Sequence, residues 1–221
     1  MRPRALMSWS SGKDSAFALH AAREASELDV VGLLTTVTTA FGRVSMHGVR
    51  EELLDRQAQA VGLPCRKVGI PSPCPNAVYE REMAAALSAA RAEGVTHVVF
   101  GDLFLADIRA YRERFVAPLG LECAFPLWQR PTAPLAREMI DAGMRAILTC
   151  VDLAQLDAAF AGRAFDPALL GALPATVDPC GENGEFHTFV TAGPMFSAPI
   201  EVSVGETVLR EGFAFADLLA R

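Results

Sequence analysis

Three observations predict a doubly wound parallel-sheet α/β domain followed by a smaller α+β unit. Short, continuously apolar runs alternate with helix-period segments over roughly residues 1–125. A polar loop, Ser10-Ser11-Gly12-Lys13-Asp14-Ser15, separates the first apolar run from the first helical one. The pattern then breaks at Pro126, Pro131 and Pro134, and residues 126–221 are punctuated by Gly, Pro and Asp. Strands that are apolar throughout belong to parallel sheets covered on both faces, and parallel pairing requires crossover helices.

Each element has its own warrant. Residues 5–9 read as a short buried strand, and residues 14–28 as a helix with Phe17 and Ala21 on one face. Residues 30–37 are β-branched and strand-like. Residues 50–61 form a helix with Leu54, Ala58 and Val61 in phase, and residues 64–70 a third strand. Residues 76–93 are helical, with Met83, Leu87 and Ala90 in phase until Gly94 stops them. A buried strand at 95–100 precedes a helix at 107–119 that carries Ile108, Tyr111, Phe115 and Leu119 on its apolar side. Beyond the prolines come a helix at 135–142, a strand at 146–151, and two strands at 186–191 and 200–208 that are expected to pair. No internal repeat or low-complexity tract interrupts the chain.

Composition narrows the function classes. The 221 residues carry 20 Lys plus Arg against 26 Asp plus Glu, a net charge of −6. No excess of positive charge exists to meet nucleic-acid phosphates. No run reaches the roughly 18 apolar residues of a membrane span. The apolar start behind Arg2 and Arg4 ends at Trp9 in the polar loop, so no export segment is expected. Cys65, Cys74, Cys123, Cys150 and Cys180 are odd in number and widely spaced, which fits reduced thiols of a cytoplasmic protein better than a disulfide framework or a zinc site. Of the 20 basic residues 18 are Arg, so Lys13 inside a glycine-containing loop points to a need for a compact ammonium.

That loop is the sharpest signal. A helix N-terminus presents free N–H groups and partial positive charge, so an anion settles there. Small residues admit phosphate oxygens to the backbone, the hydroxyls of Ser10, Ser11 and Ser15 add donors, Lys13 adds charge, and Asp14 can cap the helix or hold magnesium. The Gly-x4-Gly-Lys spacing of the Walker loop is absent, and one glycine stands where the dinucleotide fingerprint needs three. The competing explanation is an ordinary capped helix start; its placement after the first strand favours phosphate.

Two further segments belong with it. Gly101 and Asp102 end the strand at 95–100, and they face the phosphate loop if that strand borders the first. On the next helix Arg109, Arg112 and Glu113 share a face, either to clamp an anionic substrate or as a solvated charged surface. His47 lies in the loop after the second strand, either to stack on or hydrogen-bond a ligand or without a role. Near the other end, Asp178-Pro179-Cys180-Gly181-Glu182-Asn183-Gly184-Glu185-Phe186-His187-Thr188 places two carboxylates among glycines. Such a pair can bind a metal, hold an ammonium or act as a base, or it can be a tight Asn-Gly turn with solvated glutamates. His20 and His97 read as structural.

Residues 10–15 resemble the Ser-Gly-Gly-Lys-Asp-Ser PP-loop of the ATP pyrophosphatases, a branch of the adenine nucleotide alpha hydrolases, with Ser11 in place of the first glycine. Glu182-Asn183-Gly184-Glu185-Phe186-His187-Thr188 resembles the Glu-x-Gly-Glu-Phe/Tyr-x-Thr motif of the diphthine–ammonia ligase family within that group. Gly101-Asp102, the Arg109/Arg112 helix and Pro126-Leu127-Trp128 are similar to the same family, so the resemblance covers nearly the whole chain. It implies a Rossmann-like, HUP-type domain and an adenylate-forming amide synthase. ATP is cleaved to AMP and pyrophosphate to activate a carboxylate, which ammonia then amidates. Residues 10–15 with His47 and Gly101 would bind the nucleotide. Lys13, Asp102, Glu182 and Glu185 would serve catalysis, Asp14 and Asp102 magnesium, and Arg109, Arg112, Glu113, Gly184, His187 and Thr188 the acceptor. The family's named acceptor is diphthine on a translation elongation factor; a bacterial source would imply a different carboxylate. A homodimer is compatible with the sequence. A tRNA-modifying PP-loop enzyme and a non-catalytic adenine nucleotide sensor are the rival readings.

Overall fold

The computed structural model describes residues 2–221. Its first sheet contains β1 (Arg4–Ser8), β2 (Asp29–Thr38), the short β3 (Arg43–Val44), β4 (Cys65–Ile70), β5 (His97–Val99) and β6 (Glu122–Ala124). The strand order is β3-β2-β1-β5-β6, with β4 also paired to β2. All these pairings are parallel except that of β3 with β2. The helices between the strands are α1 (Lys13–Ala25), α2 (Glu51–Val61), α3 (Asn76–Ala92) and α4 (Ala106–Val116).

β1 shows why the sheet is wound on both sides. Ala5, Met7 and Trp9 join a core with Phe17 and Leu19 of α1 and Leu53 and Leu54 of α2. Leu6, between them, joins a second core with Met83 and Leu87 of α3 and Val116 of α4. Alternate residues of one strand thus feed opposite faces, which is why its apolar run is continuous. β2 lies on one side of β1 and β5 on the other, so strand order reverses there and opens a crevice at the strands' carboxyl ends.

Helix ends differ from expectation for local reasons. α1 stops at Ala25 because Ser26 turns left-handed at φ 56° and its N–H closes on the Ala22 carbonyl. α4 stops at Val116; Pro118 cannot donate to the helix ladder, and a single 3-10 turn at Ala117–Leu119 runs into Gly120 at φ 72°.

The second sheet follows α5 (Thr132–Asp141). It consists of β7 (Arg145–Asp152), β8 (Phe186–Ala192), β9 (Val202–Arg210) and β10 (Phe213–Ala220) in the antiparallel order β8-β7-β10-β9, with α6 (Pro167–Ala172) between β7 and β8. The expected pairing of the strands at 186–191 and 200–208 is not formed. β8 pairs with β7, and β9 pairs with β10, which the sequence reading did not assign. Glu211 and Gly212, at φ 51° and 84°, connect β9 to β10 as a two-residue hairpin turn, in which both central residues need positive φ. The first core continues into this sheet through Leu148, Phe186, Phe189 and Val190. Among the described residues no helix is long and apolar enough to cross a membrane, and all five cysteines are free.

Candidate functional site

Three segments converge at the carboxyl ends of β1 and β5. The 10–15 loop is drawn tight by its own hydroxyls: Ser15 Oγ donates to the Gly12 carbonyl at 3.0 Å and lies 3.2 Å from Ser10 Oγ. Ser11 takes φ 69°, is fully buried, and its hydroxyl has no partner. Gly101 packs against the start of α1 so closely that a Cβ there would lie 2.8 Å from backbone atoms of Asp14 and Ser15. A Cβ on Gly12 would reach 2.6 Å from the His47 ring and 3.2 Å from the Thr188 carbonyl oxygen, so the ring would have to shift. The strand at 95–100 therefore borders the first, and Gly101 faces the loop as the sequence anticipates.

β8 holds the loop from the other side. Thr188 Oγ1 accepts from the Lys13 amide at 3.0 Å, and the Val190 amide donates to the Ser11 carbonyl at 3.0 Å. Gln57 of α2, wholly buried, donates to the carbonyls of Ser11 at 3.0 Å and Val190 at 2.8 Å, while its oxygen accepts from Trp9 Nε1 at 2.9 Å. His47 Nδ1 lies 2.9 Å from the Thr188 carbonyl, which can only accept, so Nδ1 carries the proton.

A cavity of about 130 Å³ lies between these segments, lined by Ser10, Lys13, Asp14, His47, Gly181, Glu182, Gly184, Phe186, His187 and Thr188. Lys13 is 2% exposed; its ammonium donates to the Cys180 carbonyl and to Asp14 Oδ2 at 2.8 Å, and sits 5.3 Å from the Phe186 ring centre and 5.6 Å from that of Phe165. Burial opposes its charge, but Asp14 beside it, with Glu182, outweighs burial and raises the ammonium above its usual range, while burial raises the Asp14 carboxyl in turn. Asp14 Oδ1 is buried without a partner. The His47 and His187 rings lie 4.7 Å apart. Burial, reinforced for both by nearby Lys13, lowers His47 to about 3 and His187 to about 4, so both are neutral imidazoles.

The two glutamates part company. Glu182 accepts from the Leu103 amide at 2.7 Å and the Phe104 amide at 3.3 Å, tying the loop after β5 to the cavity. Burial, with the Asp14 and Asp102 charges, outweighs those donors and lifts its carboxyl to about 7. Glu185 is fully buried; it accepts from the Asp178 amide at 2.8 Å, the Asn183 amide at 2.9 Å and Asn183 Nδ2 at 3.0 Å, which folds residues 178–185 into a compact loop. A Cβ on Gly181 would lie 2.8 Å from the Phe186 carbonyl oxygen.

The α4 residues stand apart from the cavity. Asp102 is gripped by Arg112 through two bonds of 2.6 and 3.0 Å, Arg109 pairs with Glu113 at 2.8 Å, and the Arg109 guanidinium lies 4.8 Å from the ring centres of Phe125 and Trp128. These contacts already occupy the charges that the sequence offered to an anion or a magnesium ion. Among the described residues no group of three or more His, Cys, Asp and Glu is placed to hold a metal. The Cys180 thiol donates to the Thr132 carbonyl at 3.4 Å and is pushed up by burial, the reverse of what a sulfur-transfer nucleophile needs. Gln57 and Phe186 were missed as site residues. Gln57 had a signal, a polar residue three positions after Leu54 in the apolar stripe of its helix; Phe186 had none beyond its place in the motif.

The sheet presents its Gly-Lys-Asp-Ser loop at the strand-order reversal, where open α/β sheets take their ligands. Residues 1–123 match the diphthamide synthase N-terminal domain and residues 131–218 the diphthamide synthase C-terminal domain, so the chain belongs to the diphthamide synthase family. It is similar to proteins named diphthine–ammonia ligase: 35% identical over 118 residues to that of Rattus norvegicus, 34% over 118 to that of Homo sapiens, and 35% over 125 to that of Danio rerio. Each match covers 51% of this chain, and 44% of the rat and human proteins and 46% of the zebrafish protein. The chain therefore aligns with less than half the length of these relatives.

Proposed function

We propose that the chain is an ATP-dependent amide-forming ligase that cleaves ATP to AMP and pyrophosphate. The convergence of Lys13, Asp14 and Glu182 on one cavity, within a family whose relatives are named diphthine–ammonia ligase, carries this reading. At 130 Å³ the cavity is below the roughly 300–1,000 Å³ of pockets that enclose small molecules, so it suits the phosphate end of a nucleotide rather than all of it. A carboxylate oxygen of the acceptor attacks the α-phosphorus, the bond to the β-phosphate bridging oxygen breaks, and pyrophosphate leaves. Ammonia then attacks the acyl carbon and AMP departs with the former acid oxygen.

Lys13 supplies the charge that offsets the developing negative charge at phosphorus, swinging from Asp14 to phosphate. Glu182, titrating near neutrality, takes the proton that the attacking nitrogen loses. Asp14, with an unpartnered oxygen, fits magnesium carried in on the phosphates, which needs only one or two protein carboxylates; the ion would neutralise phosphate charge. Asp102 orients Arg112, and Glu185 shapes the loop that presents Glu182. The acceptor is diphthine, as in the relatives' names, or another carboxylate.

The test uses ATP labelled at the α and γ phosphates with magnesium, ammonium and a metabolite extract as acceptor source. AMP and pyrophosphate that depend on the extract, and vanish in Lys13→Ala, are expected. ADP and phosphate would overturn the reading.

A further inference from the structure

The second sheet has two edge strands, and they are finished differently. β8 hands its edge to the phosphate loop, where the Val190 amide donates to the Ser11 carbonyl. β9 pairs with β10 alone among the described residues, and every residue from Glu206 to Gly212 is exposed. An uncovered edge is a template for another strand, and proteins usually guard it with lysine, proline or a bulge. β9 has a bulge, where Gly205 and Glu206 both stand against Asp217, but it lies at one end of the exposed stretch. From Glu206 to Arg210 the strand contains neither lysine nor proline, and Val208 and Leu209 are 48% and 64% exposed.

The hairpin fixes which backbone groups of β9 are free. The Gly212 carbonyl accepts from the Leu153 amide, so Gly212 and Ala214 bond toward β7, and Phe213 and Phe215 bond toward β9. Their partners Arg210 and Val208 spend their amides and carbonyls on β10, while Thr207 and Leu209 aim theirs outward. A strand added antiparallel to this edge must therefore exchange its bonds with Thr207 and Leu209. Charge selects the strand and its register. Glu206 and Arg210 lie on the same face as Val208, carry opposite signs, and enter no ion pair among the described residues.

We propose that β9 pairs with β9 of a second copy of this chain, antiparallel and centred on Val208, so that the two C-terminal sheets join edge to edge. In that register Val208 packs on the partner's Val208, Glu206 faces the partner's Arg210, and Arg210 faces the partner's Glu206. Thr207 and the partner's Leu209 become a pair that exchanges both backbone bonds, and the two-fold axis repeats it. Neighbouring registers are worse. Centring on Thr207 or Leu209 sets a charge against Val208, and centring on Glu206 or Arg210 sets like charges face to face, which is destabilising. The paired stretch is short, so the dimer is weak and depends on concentration. The inference stands apart from the ligase reading.

Sedimentation velocity of the full chain at rising concentration tests it. A monomer–dimer equilibrium in the micromolar range is expected. Arg210→Glu and Glu206→Arg are each expected to weaken association about tenfold, because each sets two like-charge pairs across the axis. The double variant carrying Glu206→Arg and Arg210→Glu restores opposite signs and is expected to recover the dimer. Leu209→Pro removes an amide that β10 does not use, so it is expected to leave a monomer with an unchanged far-ultraviolet circular dichroism spectrum. If Leu209→Pro unfolds, the charge series decides alone. A monomer at millimolar concentration, a dimer indifferent to single charge reversal, a double variant as weak as the single ones, or a folded Leu209→Pro chain that still dimerises overturns the proposal.

Discussion

Ser11 holds a φ of 69° with its hydroxyl buried and unpartnered. A left-handed conformation costs a non-glycine residue roughly 1–2 kcal/mol, and glycine's greater freedom when unfolded takes back about 0.5–1 kcal/mol. Removing the orphaned hydroxyl adds to the gain, so Ser11→Gly is expected to raise the unfolding free energy by about 1 kcal/mol, read by urea denaturation. Glu182 shows a different strain. Its carboxyl titrates at about 7 in the fold against 4.5 unfolded, so its contribution is fully present below pH 4.5 and is lost as pH rises through 7. Glu182→Gln keeps the acceptor for the Leu103 amide and is expected to raise the melting temperature at pH 8 more than at pH 5. In the proposed reaction the same variant loses the limb of the pH–rate profile centred near 7. In the sequence Glu182 and Glu185 were equivalent glutamates among glycines. Only the folded loop separates an acid aimed into the cavity from one that binds three donors of its own segment.

Among the elements, α2 and β8 meet the phosphate loop through one side chain. Gln57→Leu strands the Trp9 N–H and the Val190 carbonyl in the core, and each unmet group costs about 1–3 kcal/mol. A loss of about 2–4 kcal/mol in chemical denaturation is expected. β1, β2 and β5 were legible because burial on both faces writes a continuous apolar run, and the 10–15 loop because it interrupts one, whereas β3, of two residues, and β6, of three, were too short to be read. β10 was missed for another reason. Its residues Phe213, Phe215 and Asp217 are partly exposed while Ala214, Ala216 and Leu218 are buried, so its inner face is written partly in alanine, a weak strand signal. Glu-Gly is also a less telling hairpin pair than Asn-Gly or Asp-Gly. Losing β10 hid the strand that joins β7 to β9.

Across the whole molecule, protonation sets the stability. His47 and His187, at about 3 and 4 in the fold against 6.5 unfolded, contribute stability that is complete above pH 6.5 and is lost as pH falls toward 4. Glu182 and Asp14, both raised by burial, act in the opposite sense. His187→Gln is therefore expected to raise the melting temperature at pH 4 relative to that at pH 6.5, compared with the intact chain. The hydrogen bonds from Val190 to Ser11 and from Lys13 to Thr188 carry a last consequence. A loop of the first sheet completes its backbone bonding only on a strand of the second. Neither half can melt while the other persists in native form, so calorimetry should record one peak whose van't Hoff and calorimetric enthalpies agree, and a fragment spanning residues 1–125 should bind ATP far more weakly than the intact chain.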